Sequence, residues 1–104
     1  MAVDIKAIEQ KVNKYVADVR SVIPVDKVFL FGSYAKGTAT EDSDIDLCFF
    51  SQVYENEHSV DSISYLLGIS RKYHIDIEPH AFPTSELTND NPFIKEIIRT
   101  GREL

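Results

Sequence analysis

The sequence predicts an α/β chain of α+β layering, a small mixed β-sheet with helices packed on one face, and three observations lead there. The apolar residues change period along the chain: helical spacing from Asp4 to Val22, a continuous apolar run at Val28 to Phe31, then alternation at Asp44 to Phe50 and again at Tyr73 to Phe82. The segments between these runs are long enough to hold helices and so to act as crossovers. The chain has 104 residues, 43% hydrophobic and 27% charged, which reads as one globular domain over 1–104 with no room for a second.

Taken in order, Ile5, Ile8, Val12, Tyr15, Val16 and Val19 make the apolar stripe of a first helix. Asp4 is its candidate N-cap, and Ile23-Pro24 stops it because the residue before proline is pushed out of the α region. Lys27 to Phe31 is the first strand. A short helix follows Gly32 and ends near Gly37, and the second strand runs from about Asp44 to Phe50. After the polar loop SQVYENEH, His58 or Ser59 caps a helix through Ser70 or Lys72, with Val60, Ile63, Leu66, Leu67 and Ile69 as its stripe. Tyr73 to Phe82 is the third strand, bounded by Pro79 and Pro83. The last helix has an N-cap at Asn91, proline at its first position and Gly101 where a C-cap glycine is expected.

Composition narrows the function classes. No apolar stretch can span a membrane, and MAVDIKAIEQ lacks the basic and apolar regions of a signal peptide, which points to the cytoplasm. A net charge of −6 argues against gripping nucleic acid over the whole surface, since such binding rests on neutralising phosphates. A triphosphate accompanied by Mg²⁺ stays compatible. The single cysteine, Cys48, fits a reducing compartment and reads as packing. It shares parity with Asp44 and Asp46, so it reaches the apolar side only if the pleat is irregular there.

The stretch with chemistry in it is VFLFGSYAKGTATEDSDIDLCFF, residues 28–50. Gly32 directly follows an apolar run, where a residue without Cβ lets the chain turn and brings backbone N–H groups close to a ligand. Ser33 adds a hydroxyl, and the helix opening there suits an anion such as phosphate. On the second strand Asp44 and Asp46 share one face while Ile45 and Leu47 share the other. Two such carboxylates repel by something on the order of a few kcal/mol, so the site protonates one or holds a cation, and oxygen ligands suit a hard one such as Mg²⁺. A solvated acidic turn is the plain alternative for TEDSD. A calcium loop fails, because Leu47 stands where its glycine is needed and Val53 where its bidentate glutamate belongs.

GSYAKGTATEDSDIDL resembles the signature of the DNA polymerase β-like nucleotidyltransferase superfamily in its smallest form, the minimal nucleotidyltransferase domain. That signature is Gly-Ser, a spacer, then Asp-apolar-Asp-apolar, and here ten residues separate Ser33 from Asp44. Lys36 departs from the more usual arginine, keeping the charge and losing the bidentate fork. The resemblance implies the nucleotidyltransferase fold with its site on the open face of the sheet. It implies ATP binding through Gly32, Ser33 and Lys36, with Mg²⁺ as cofactor on Asp44 and Asp46. It also implies a third catalytic and metal-binding carboxylate from the next strand, which a two-metal phosphoryl transfer requires. Asp76 and Glu78 share a face, so parity does not separate them. Likeness to some relatives around IEPH favours Glu78, with Asp76 the alternative. His74 and His80 share that parity and read as strand histidines without duty.

The resemblance therefore implies transfer of a nucleoside monophosphate, AMP from ATP first, to a hydroxyl acceptor on a partner protein. The competing class is an antitoxin-type binding module that pairs with a HEPN-domain partner with little or no catalysis. A small-molecule modifier is third, since such enzymes usually carry an extra acceptor domain. Whether the chain forms a homo-oligomer stays open.

Overall fold

The computed structural model describes residues 5–40, 42–55, 59–88 and 90–104. The expected caps at Asp4 and His58 lie outside them. Along the chain run α1 (Ile5–Val22), β1 (Val25–Phe31), α2 (Ser33–Lys36), β2 (Ile45–Ser51), α3 (Ser59–Ser70), β3 (Ile77–Pro83), α4 (Pro92–Thr100) and β4 (Arg102–Glu103). Short 3₁₀ turns occupy Gln52–Glu55, Arg71–Tyr73 and Thr84–Leu87. The strands form one mixed sheet in the order β3-β2-β1-β4. β1 is antiparallel to both β2 and β4, and β2 is parallel to β3. The connections through α3 and α4 each join strands that run in the same direction, β2 to β3 and β3 to β4. The four-residue α2 returns the chain antiparallel.

The first helix forms as its spacing predicts. Val12, Tyr15, Val16 and Val19 are buried against Val28, Leu30, Leu47, Phe49 and Leu66. The Tyr15 hydroxyl donates to the Leu66 carbonyl at 2.8 Å, which satisfies a buried polar group and ties α1 to α3. These two helices cover one face of the mixed sheet, but the helices are not confined to that face as the sequence predicts. α4 sits on the other face, where Ile94 and Ile97 pack on Phe29, Cys48 and Phe50. That arrangement resolves the parity of Cys48. The pleat is regular and β2 is buried on both faces under the helices, so Cys48 faces α4 while Leu47 and Phe49 face α1.

The third strand begins later than its alternation suggests. Arg71–Tyr73 is a 3₁₀ turn and His74 caps it in the left-handed region at φ 54°, while Ile75 is already buried. Pro79 lies inside β3 and does not bound it. An edge strand has one side without a ladder partner, so a missing N–H is tolerated there.

β4 is absent from the sequence reading because two residues carry no period. It pairs Glu103 with Phe29 and Arg102 with Leu30, the Leu104 amide adds a bond to the Val28 carbonyl at 2.9 Å, and Arg102 reaches Glu9 of α1 at 2.7 Å. α4 starts as expected: Asn91 Oδ1 accepts from the Phe93 amide at 3.0 Å and Pro92 holds the first position. Gly101 is the C-cap, but its backbone is extended, with φ −84° and ψ 179°. Glycine is needed there because a Cβ would lie 2.5 Å from the Ile97 carbonyl oxygen and 2.8 Å from that of Leu30.

The close approach at Gly101 sets an expectation. Gly101→Ala forces backbone apart at the junction of α4 and β4, and should lower unfolding stability by about 2 kcal/mol or more in urea titration. An unchanged midpoint would show that the junction yields freely.

Candidate active site

β2 carries the site because its outward side changes character along its length. Under α4 that side is Cys48 and Phe50; one step nearer the strand's start it is Asp46, beyond the helix's cover. In the parallel pairing Asp46 stands opposite Glu78, and Cys48 opposite His80. In the antiparallel pairing Asp46 stands opposite Phe31, the residue before the Gly-Ser turn. The site lies where β1 ends and where β2 and β3 begin.

Asp46, Glu78 and His80 converge. One ligand atom from each lies within 4.8 Å of the other two, and His80 Nε2 is 4.0 Å from Glu78 Oε1. Glu78 is 58% exposed at its side chain and His80 29%. Two carboxylates and one imidazole at this separation form a donor set that a divalent cation fits, with oxygen ligands in the majority. Partial burial and the Glu78 carboxyl, through a hydrogen bond and its charge, push Asp46 up to about 6, and Asp44 adds in the same direction.

The Gly-Ser turn is pressed against this group. Gly32 has φ 72° and ψ −149°, a region open to glycine, and a Cβ there would lie 2.1 Å from Asp46 Oδ2. Ser33 opens α2, whose Lys36 amide bonds the Gly32 carbonyl at 3.1 Å, and Gly37 closes it with its N–H on the Ser33 carbonyl. Lys36 is exposed on this short helix.

The other expected residues are placed differently. Asp44 precedes β2, so it is not a same-strand neighbour of Asp46. It is exposed and stands outside the converging group, although its charge is felt there. Asp76 precedes β3, and its carbonyl accepts from the Ile45 amide at 2.8 Å. Asp44 and Asp76 share an open cleft of about 340 Å³ with Glu78, Leu67 and Arg71. The parallel register thus brings Glu78 to Asp46 and leaves Asp76 one step short. His80 is what the sequence reading left aside. The available signal was its parity, two residues beyond Glu78, but parity alone does not say which strand lies alongside.

Nearly the whole chain is similar to known proteins. The family model described as nucleotidyltransferase domain matches residues 9–102. A protein of Methanocaldococcus jannaschii named as a candidate protein adenylyltransferase is 34% identical over 102 residues, 95% of each chain. The crystal structure of a candidate nucleotidyltransferase from Sulfolobus solfataricus shares the fold, with a TM-score of 0.61 at 23% identity, covering 93% of this chain and 84% of that one.

The raised Asp46 has a signed consequence. Between its ordinary 3.8 and about 6 the folded chain holds a proton that the unfolded chain has released, so stability falls as pH rises through that window. Solvent screening of a partly exposed carboxyl keeps the loss to about 1 kcal/mol. Without divalent ions, the stability of the native chain relative to Asp46→Asn should therefore decline from pH 4 to pH 6.5. A difference that stays constant over that range contradicts the assignment.

Proposed function

We propose, from the premise that this chain belongs to the nucleotidyltransferase domain family as one of its minimal members, that it transfers AMP from ATP to a hydroxyl on a partner protein. The observation that carries the reading is the meeting of Asp46 and Glu78 directly beside the Gly32 turn. That juxtaposition puts an anion-binding turn next to a pair of carboxylates with raised affinity for positive charge. ATP as donor and protein as acceptor are supported by the M. jannaschii relative, named for protein adenylylation.

In this reading the Ser33 hydroxyl and the amides of the turn hold the β- and γ-phosphates, and Lys36 lends its charge from α2. A four-residue helix has little dipole, so the contacts are those of the turn itself. Asp46 and Glu78 would hold Mg²⁺, with Asp44 as the further carboxylate. The cation would supply charge neutralisation at the α-phosphoryl group. The acceptor hydroxyl oxygen forms a bond to the α-phosphorus as its proton passes to the Glu78 carboxylate, the bond to the bridging oxygen breaks, and pyrophosphate leaves on the opposite side. Holding those groups in line is the chief task of the chain's own residues. Glu78, opposite Asp46, serves the acceptor side, with the His80 imidazole 4.0 Å from it as a further donor.

An acceptor on a second protein is supported by the engagement of the described elements in closing one small core. α1 and α3 cover one face and α4 the other. A HEPN-domain partner is the class that the family resemblance implies. The net charge of −6 favours a basic face on that partner and an association weakened by salt.

Two measurements test the reading. Glu78→Gln should lower AMP transfer from labelled ATP roughly a hundredfold, a loss comparable to removing a charge-stabilising group, while Asp76→Asn lowers it less than tenfold. The reverse order would give the third carboxylate's role to Asp76. Mixing the chain with the product of its neighbouring gene and ATP, then weighing both intact, should show added AMP on the partner. A partner bound but unmodified favours the non-catalytic antitoxin reading. AMP on a nucleic acid end or a small molecule assigns a different acceptor.

A further inference from the structure

The sheet face that bears Asp46 and Glu78 continues into a group of aromatic rings, and one residue belongs to both. His80 has Nε2 4.0 Å from Glu78 Oε1, and its ring centroid is 5.3 Å from that of Phe31 and 5.8 Å from that of Phe93. Phe93 meets Phe31 edge to face at 5.9 Å and 89°, and leans on Phe82 at 6.1 Å. Although it is held from behind by three rings, Phe93 is 44% exposed.

That exposure is not demanded by α4. The helix is anchored by buried Ile94 and Ile97 and capped by Asn91, so a polar residue at position 93 would serve the helix as well. The other large hydrophobic residues exposed among the described ones are Val22, Tyr65, Leu67 and Ile98. Phe93 differs from them in being in ring contact with a member of the carboxylate group.

We propose that Phe93, backed by Phe31 and His80, is the stacking surface for the nucleobase of the triphosphate. The inference rests on the nucleotidyltransferase reading of the neighbouring site. With the phosphates at Gly32 and Ser33, the base leaves the carboxylate group with one ribose of reach, and the aromatic surface starts at Glu78's own neighbour. A rigid ring that is supported from behind and bare in front holds a base by its π-face at little conformational cost. Phe93 is in this sense a binding and positioning residue. It sets the distance of the α-phosphorus from Glu78 through the ribose.

The test compares a ligand that has a base with one that does not. In the presence of Mg²⁺, Phe93→Ala should weaken ATP about tenfold in calorimetric titration and leave tripolyphosphate within twofold. The chain contains no tryptophan, so Phe93→Trp introduces a lone indole, excited apart from the tyrosines, while keeping a ring in place. Its emission should be quenched saturably by ATP and unaffected by tripolyphosphate. Equal weakening of both ligands in Phe93→Ala, unchanged ATP affinity, or no quenching in Phe93→Trp each overturns the inference. Failure of the native chain to bind either ligand overturns the proposed function, and this inference with it.

Discussion

Two carboxylates held opposite each other on neighbouring parallel strands are the arrangement on which the rest of this molecule turns. When both are ionised Asp46 and Glu78 repel, and the hydrogen bond between them lasts only while a proton is shared. What keeps them together is the reverse face of the same strands. Ile45, Leu47 and Ile77 alternate with the acidic pair and are buried in the core with α1 and α3, and Pro79 on the same side is buried too. Slipping β3 by one residue would turn Ile77 and Pro79 to the open side and bring Glu78 into the core. Burying an aliphatic side chain contributes about 1.5–3 kcal/mol, so several together outweigh a repulsion that solvent screens. The hydrophobic register thus fixes the electrostatic one.

The central strand is apolar on both faces for most of its length, and the site exists because that stops being true at one end. α4 covers Cys48 and Phe50 and ends its cover before Asp46. A helix of nine residues is about 13 Å long, which is short against the sheet it lies on. The Gly101 junction stops it and feeds the chain straight into β4, where Arg102 returns to Glu9 on α1. The short terminal strand therefore helps decide how much of the face stays open.

The turn after β1 has the matching constraint. Gly32 must adopt a positive φ and must leave room for Asp46, two demands that only a residue without Cβ meets together. A phosphate-binding turn and a cation-binding carboxylate are thereby in contact in the fold while a loop separates them in the chain. His80 joins the same neighbourhood to a set of rings, so the acidic group is bordered on one side by an open acidic cleft and on the other by an aromatic surface.

The sequence alone determined the helices, the three long strands and the Gly-Ser and Asp-apolar-Asp elements, because those depend on local periodicity and on glycine and proline chemistry that neighbouring residues carry with them. It also determined that Asp76, Glu78 and His80 share a face. Which of them meets Asp46 was decided by the tertiary structure, since parity is a property of one strand and register a property of two. The Ile45 amide on the Asp76 carbonyl starts that register, and it places Glu78 beside Asp46. The same holds for α4's place on the second face, for Cys48 buried on the acidic side of the pleat, and for the two-residue β4. Each follows from long-range packing between segments far apart in the chain, and no window of adjacent residues contains the partner that makes the choice.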